Sequence, residues 1–184
     1  MQKSLNIFLA FIFFIISVFV TVPAMASASG GMGAAWDPGT VTSPPTRLII
    51  PAIGINTNIQ GVGVNAKGEM AVPKGSTQAV GWYEYGTIPG NVGSAVIDAH
   101  VFAAFSKLKY LQPGADVYVI SGSGKTLHFV VKAKQTFALS NMVPQQVFKS
   151  TAMPDLNLIT CAGSLTADHS TYDHRLVVYT TLVG

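Results

Sequence analysis

The chain has 184 residues, of which 49% are hydrophobic and only 10% are charged, and its formal net charge is +3. This length predicts a single domain behind a leader, and the small, scattered charge argues against a nucleic-acid partner. Neither a GxxxxGK[ST] sequence nor a strand-coupled GxGxxG sequence is present, so a phosphate-binding loop of either type is excluded.

Residues 1–29 predict a targeting segment. Lys3 precedes an almost wholly apolar run over residues 5–22, and Ala24-Met25-Ala26 gives a small-x-small cleavage pattern. The run suits either a cleaved signal peptide or a retained membrane anchor, and both alternatives stay open. Either one predicts an extracytoplasmic protein, membrane-anchored or secreted. Residues 30–45, rich in Gly, Ser, Thr and Pro, are interpreted as a linker, and residues 46–184 as the folded domain.

The folded part predicts seven or eight short strands with one internal helix. Strand patterns cover residues 47–51, 54–59, 69–73, 94–100, 116–120, 127–132, 156–161 and 175–182, with a weaker one at 136–139. Residues 121–124, Ser-Gly-Ser-Gly, predict a hairpin turn. Residues 102–111 predict the helix, since Phe105, Leu108 and Leu111 recur every three residues. One further helical turn is expected near residues 145–148. This balance fits a closed β-barrel or a β-sandwich.

Cys161 is the only cysteine, and it follows a strand pattern. An unpaired thiol in an exported protein is a candidate nucleophile. His100 ends one predicted strand and Arg175 opens the last, so antiparallel pairing of the last two strands would bring Cys161 and Arg175 to one rim. A histidine can act as acid and base, and an arginine can donate to an oxyanion. Spacing alone favours an inert buried cysteine, a surface or hydrogen-bonding histidine and an arginine at a sheet edge.

These segments resemble sortases. The sequence Asn-Leu-Ile-Thr-Cys over residues 157–161 resembles the Thr-Leu-x-Thr-Cys signature, and Ala99-His100 and Arg175 match the family's Gly-His and its last-strand Arg. The similarity covers most of the chain from residue 47 and is greatest to the class F group. Ala99 replaces a Gly and Asn157 replaces a Thr of the family pattern.

The resemblance implies a mainly β fold, a closed barrel of seven to eight strands with one or two short helices. It implies a cysteine transpeptidase in which Cys161 cleaves a Leu-Pro-x-Thr-Gly-like sorting signal between Thr and Gly. The thioacyl enzyme would transfer the peptide to an amine, from a cell-wall precursor or a pilin-like lysine. His100 would serve as acid and base, and Arg175 would stabilise the oxyanion. A non-catalytic sortase-like binding module is the alternative, motivated by Ala99 and Asn157.

The resemblance also implies substrate contacts. The predicted substrate-binding residues are Asn157, Thr160, Ala162, Val143 and Phe148. The last two belong to an apolar connection over residues 140–154, which either walls the Leu-Pro site or packs as ordinary core.

No cofactor and no metal are expected. Glu69, Glu84 and Asp155 are too scattered for a calcium site. His169 and His174, with Asp168 and Asp173, are interpreted as a solvated loop, although either histidine could compete with His100 for the thiol. His128 is interpreted as structural. Asp98 has the strand parity of His100 and could support it, but the favoured interpretation is a turn residue.

Overall fold

Apolar residues that alternate along short segments build eight strands, and the strands close into a barrel. The structure is a computed structural model that describes residues 40–73 and 78–184. The strands are β1 Pro45–Ile50, β2 Ile55–Val62, β3 Val80–Tyr83, β4 Gly93–Asp98, β5 Asp116–Ser121, β6 Thr126–Ala138, β7 Pro154–Leu165 and β8 Tyr172–Leu182. Their order around the barrel is β1-β2-β3-β4-β7-β8-β6-β5, and β5 pairs back onto β1. The barrel alternative is therefore confirmed and the sandwich is wrong.

β7 lies between the two strands that carry the other predicted catalytic residues. It pairs in parallel with β4 and antiparallel with β8. Among the described strands, the only other parallel pair joins β2 and β3, and the remaining neighbours are antiparallel. The barrel thus brings together the ends of segments that are far apart in sequence.

Side chains on the two faces of the strands form two apolar clusters. Leu156 and Leu158 of β7 point into the barrel, where the main core lies. Ile159 packs on the outer face with a second cluster, whose buried members are Val96, Val147 and Val177. The connection over residues 139–153 supplies Val147 and so covers this outer face. Since successive side chains of a strand alternate, Cys161 shares the outer face with Ile159.

The predicted helix over residues 102–111 is wrong as an α-helix. Most hydrogen bonds here span three residues, as from Leu108 N–H to the Phe105 carbonyl, and the chain forms turns that end in a 3₁₀ helix, Leu108–Tyr110. Phe105, Leu108 and Leu111 are all at most 1% exposed. A repeat of three matches the 3₁₀ period, in which residues three apart align on one side. The other helical segments of the described part are the 3₁₀ helices Pro51–Ile53, Leu139–Asn141 and Pro144–Gln146.

Several strand bounds differ from the predicted ones. Residues 69–73 form only an isolated bridge, between Val64 and Met70. The predicted strands 127–132 and 136–139 are one strand, β6, with a register shift between Val131 and Ala133. β7 continues past Cys161 to Leu165, and β8 begins three residues before Arg175. The long antiparallel pairings of β8 with β6 and β7 include residues that the sequence pattern assigned to turns.

The N-terminal part of the chain is described only from residue 40 onward. The predicted leader, residues 1–29, and linker residues 30–39 lie outside the described residues. Val41, within the predicted linker, is buried, and its N–H donates to Asn91 Oδ1 at 2.7 Å. In residues 40–73 and 78–184, no helix has the length and apolar character needed to cross a membrane.

Phe105→Ala should lower the free energy of unfolding by about 3–5 kcal/mol, because it leaves a cavity where the 3₁₀ turns meet the barrel core. Phe102→Ala is the matched control: Phe102 lies in the same segment but is 63% exposed, so the loss should be within about 0.5 kcal/mol. Urea denaturation of the two variants measures both. Equal losses would contradict the packing described above.

Candidate active site

Cys161 and Arg175 lie directly opposite each other on neighbouring strands. The β7–β8 register pairs them, within a run of pairs from Asp155 with Thr181 to Ala162 with His174. Opposite side chains of an antiparallel pair lie on the same face, with Cβ atoms about 5 Å apart. The thiol and the guanidinium therefore share the outer face of the barrel, and this pairing follows from backbone hydrogen bonds alone.

The guanidinium of Arg175 is held by the chain just before it. Its Nη1 donates to the carbonyls of Tyr172 and His174, both at 2.9 Å, and its Nη2 donates to Thr171 Oγ1 at 3.0 Å. These bonds use three of the five N–H donors of an arginine. The two others have no acceptor within the described part of the chain and are free for a substrate oxygen.

The thiol of Cys161 lies in an environment with opposing electrostatic effects. Burial raises its pKa above the usual range, because a thiolate is poorly solvated there. The positive charge of Arg175 lowers the pKa, and the carboxyl of Asp98 raises it again. Burial is the largest of these effects. The resting thiol is therefore protonated at neutral pH and needs a base or a substrate-induced change to react.

His100 follows β4 and leads toward the thiol. The parallel β4–β7 register ends at Asp98 with Ile159, but Ala99 N–H still donates to the Ile159 carbonyl, at 3.3 Å. Thr160 Oγ1 donates back to the Ala99 carbonyl at 2.7 Å. If this register continued by two residues beyond its last pair, His100 would be level with Cys161.

The imidazole of His100 has other partners. Its Nε2 lies 3.1 Å from the carbonyl oxygen of Pro73, and its ring stacks on Phe102 with centroids 4.7 Å apart. A carbonyl oxygen only accepts, so Nε2 carries a proton in this arrangement. Within residues 40–73 and 78–184, no hydrogen bond joins His100 to Cys161. Convergence of Cys161, His100 and Arg175 in one reacting group stays a prediction.

Two of the predicted substrate-binding residues make internal hydrogen bonds. Asn157 is 1% exposed, and its amide donates to the Val147 carbonyl, so it ties β7 to the connection that covers the outer face. Thr160 is 4% exposed and holds Ala99 as described. Ala162 packs partly against the barrel core. These three residues contact other parts of the protein and support the segments around the thiol. Direct contact with substrate stays a prediction for each of them.

The connection over residues 139–153 divides into core and surface. Val147 is 3% exposed and belongs to the outer cluster, whereas Val143 is 48% and Phe148 is 38% exposed. The ring of Phe148 meets that of Tyr83 edge to face, with centroids 5.3 Å apart. Both alternatives for this segment thus hold in part: Val147 is core, and Val143 and Phe148 present an apolar surface.

A small cavity of about 150 Å³ opens beside the thiol. Its lining includes Cys161, Thr160, Ala162, Phe105, Lys109 and Tyr172. A larger cavity of about 290 Å³ lies between the β1–β2 turn and residues 103–107, and it contains none of the predicted site residues. The chemistry of the thiol, rather than cavity size, identifies the smaller one as the candidate site.

Asp98 is the residue that the sequence interpretation undervalued. It ends β4 instead of lying in a turn, and it is only 6% exposed. Its Oδ1 is buried and has no hydrogen-bond partner among the described residues. Burial raises the pKa of Asp98 to about 8. The one signal in the sequence was its strand parity with His100.

Of the remaining histidines, His128 lies on β6 and His169 lies in the β7–β8 loop, as predicted. The loop interpretation is wrong for His174, which lies on β8 opposite Ala162. His128 pairs with Asp116 at 2.8 Å and stacks on Tyr118. His174 Nδ1 lies 2.7 Å from Asp173 Oδ1. Within the described ranges, no group of three or more His, Cys, Asp or Glu side chains could hold a metal ion.

Comparisons with known proteins agree on one family. The family model described as "Sortase domain" matches residues 48–183. A search of curated proteins finds no match.

Solved structures with the same fold include three sortases. Sortase C-1 from Actinomyces oris is 24% identical, with a TM-score of 0.57, and the match covers 76% of this chain and 71% of that one. The group B Streptococcus pilus island 1 sortase C2 is 22% identical, with a TM-score of 0.57 and coverages of 79% and 77%. A lid mutant of sortase A from Corynebacterium diphtheriae is 18% identical, with a TM-score of 0.58 and coverages of 80% and 74%. At these identities the similarity shows the fold alone.

The buried carboxyl of Asp98 predicts a pH-dependent stability. The folded state keeps this proton up to about pH 8, whereas an unfolded aspartate, with its ordinary pKa of 3.8, has lost it. Between those values the folded state binds the extra proton, so the free energy of unfolding falls by about 1.4 kcal/mol per pH unit from this group. Asp98→Asn should remove that slope between pH 5 and 8 in urea denaturation. The exposed Glu84→Gln should keep it, and an unchanged slope in Asp98→Asn would contradict the burial.

Proposed function

The chain belongs to the sortase family of cysteine transpeptidases, and from that premise we propose that it cleaves a Leu-Pro-x-Thr-Gly-like sorting signal between Thr and Gly. It transfers the new acyl group to an amine and so attaches proteins to the cell surface. The observation that carries this proposal is the pairing of the single thiol, Cys161, opposite Arg175. A nucleophile and a fixed cation on one outer face are what acyl transfer to a peptide requires.

Cys161 is the proposed nucleophile. Once its proton has passed to His100, the proposed base, its sulfur forms a bond to the Thr carbonyl carbon, and the carbonyl oxygen becomes an oxyanion. Arg175, which has two N–H donors left, stabilises this oxygen. As the C–N bond breaks, a proton goes to the Gly amino group and the thioacyl enzyme remains. An amine then attacks the thioester and the thiol is regenerated.

His100 is the proposed acid and base. Its position after β4, level with Cys161 by register, supports this role. The protonated Nε2 is a possible donor to the leaving amine, provided that the ring leaves the Pro73 carbonyl. Stacking on Phe102 is compatible with such a rotation, because a ring contact restrains direction less than a hydrogen bond does. We infer that the described arrangement is a resting state.

The Leu-Pro part of the signal is proposed to bind along the outer face. Val143 and Phe148 offer exposed apolar surface there, and Val147 with Asn157 fixes the segment that carries them. Asn157 then acts on specificity through the shape of this segment. Thr160 and Ala162 border the thiol from beneath.

The partners follow from the reaction. They are the sorting-signal peptide of a surface protein and an amine acceptor, a cell-wall precursor or a pilin-like lysine; nucleic acid has no part in it. The site needs no cofactor.

Sortases in general act outside the cytoplasm, and residues 1–29 are proposed to direct this chain there as a cleaved signal or as a membrane anchor. The sequence resembles class F most, whereas the three solved structures reported above belong to classes C and A.

A non-catalytic sortase-like binding module is the second candidate. Burial of the Cys161 thiol, which raises its pKa, and the engagement of His100 by Pro73 favour it. A binding module would hold the signal peptide without turnover. The two candidates differ in whether the wild-type chain releases a product.

The full-length chain should cleave a fluorogenic Leu-Pro-x-Thr-Gly peptide between Thr and Gly, and faster with an added amine. Cys161→Ala and His100→Ala should abolish turnover, and Arg175→Ala should lower kcat by about 10²–10³, the loss typical of an oxyanion donor. Arg47→Ala is the matched control, because the only other arginine is exposed on β1. Turnover retained in Cys161→Ala would exclude the mechanism. Binding without turnover in the wild type would favour the second candidate.

Phe148→Ala should raise KM for this peptide by about fivefold or more and leave kcat nearly unchanged, since it removes apolar contact made equally in the bound and transition states. Tyr110→Ala, another exposed aromatic ring, should change neither constant. Steady-state kinetics over a range of peptide concentrations separate the two. A fall in kcat alone would place Phe148 outside the peptide-binding surface.

A further inference from the structure

The carboxyl of Asp98 lies on the outer face that also carries the thiol of Cys161. In the β3–β4 pairing Asp98 is opposite Gly81, and along β4 it has the parity of Val96, which belongs to the outer cluster. β7, the strand of Cys161, is the next neighbour of β4. Asp98 is thus one strand away from the thiol and is 6% exposed.

Gly81 and Val62 form an apolar cradle under this carboxyl. A Cβ atom added at Gly81 would lie 2.6 Å from Asp98 Oδ1 and 3.0 Å from both methyl groups of Val62. Oδ1 therefore occupies space that only a glycine leaves open. It receives no hydrogen bond from the described residues. Burial disfavours the charged carboxylate here and outweighs the backbone hydrogen bond of Asp98 that favours it.

Other ionisable groups on this face do not neutralise Asp98. They are Tyr83 from β3, His100 from the continuation of β4, Cys161 from β7 and Arg175 from β8, while β2 presents Val62. Lys109 and Tyr172 line the cavity beside the thiol. Arg175 pairs across from Cys161, whereas Asp98 lies opposite Gly81 and Ile159 and pairs with no cation. When Asp98 ionises, its charge disfavours the thiolate and opposes Arg175.

We propose that Asp98 is a positioning residue of the reaction, which permits ionisation of Cys161 while its carboxyl is neutral and suppresses it once the carboxyl is charged. The carboxyl exchanges its proton with solvent and takes part in no covalent step. Neutral Asp98 leaves Arg175 as the only charge that faces the sulfur from β4 or β8, and charged Asp98 adds a negative one. Its consequence for turnover rests on the proposed function, but its effect on the thiol needs no substrate.

The test is the pH dependence of Cys161 alkylation by iodoacetamide in the full-length chain. The chain has one cysteine, so the rate of labelling reports this thiol alone. Between pH 6 and 7 the wild type and Asp98→Asn should react at similar rates, because the side chain at position 98 is uncharged in both proteins. At pH 9 Asp98→Asn should react about three to ten times faster, as one pKa unit changes the thiolate fraction up to tenfold.

Two controls separate charge from packing. Asp98→Ala also removes the charge and should give the same alkaline gain, so either variant suffices if the other does not fold. Glu84→Gln removes an exposed carboxyl and should follow the wild type. Rate curves of Asp98→Asn and wild type that superimpose, or that differ by a constant factor at every pH, would overturn the proposal. Absent peptide turnover with the expected alkylation curves would instead overturn the proposed function and leave this inference intact.

Discussion

The candidate site depends on the register of β7 between its two neighbours. Antiparallel pairing with β8 sets Cys161 opposite Arg175, and parallel pairing with β4 carries His100 toward the same level. A slip of one residue would turn every β7 side chain to the other face and would put the thiol inside the barrel. Leu156 and Leu158, both fully buried, oppose such a slip, because it would expose them on the outer face. Core packing therefore also fixes the position of the thiol.

The two faces of the barrel strands carry different sets of residues: those that stabilise the fold and those of the candidate site. The interior holds the main apolar core, and the outer face around β7 carries the thiol, the guanidinium and the Asp98 carboxyl. The connection over residues 139–153 covers part of this outer face through Val147, whose carbonyl oxygen accepts a hydrogen bond from the side-chain amide of Asn157. A peptide that binds there meets a surface already supported from beneath. Substitutions on this face can alter reactivity while the interior core stays intact.

The electrostatic environment of Cys161 combines effects of opposite sign. Burial and Asp98 raise its pKa, whereas Arg175 lowers it. Arg175 is fixed by three hydrogen bonds that it donates to Thr171, Tyr172 and His174, so its favourable charge does not depend on the thiol. Asp98 changes its charge with pH, which makes it the variable element. Arg175 and Asp98 are thus a constant and a titrating charge beside a partly buried thiol, and Lys109 also lines the cavity of that thiol.

The sequence by itself determined the strand patterns, the hairpin at residues 121–124 and the uniqueness of the thiol. It also predicted that Cys161 and Arg175 meet, because a short polar loop between two strand patterns favours antiparallel pairing. It mistook the 3₁₀ turns around Phe105 for an α-helix, since a repeat of three apolar residues occurs in both. Only the tertiary structure decided that Asp98 is buried and that the pKa of its carboxyl is raised. Its burial depends on Gly81 and Val62, which lie on other strands, and no local pattern records what a distant backbone leaves open.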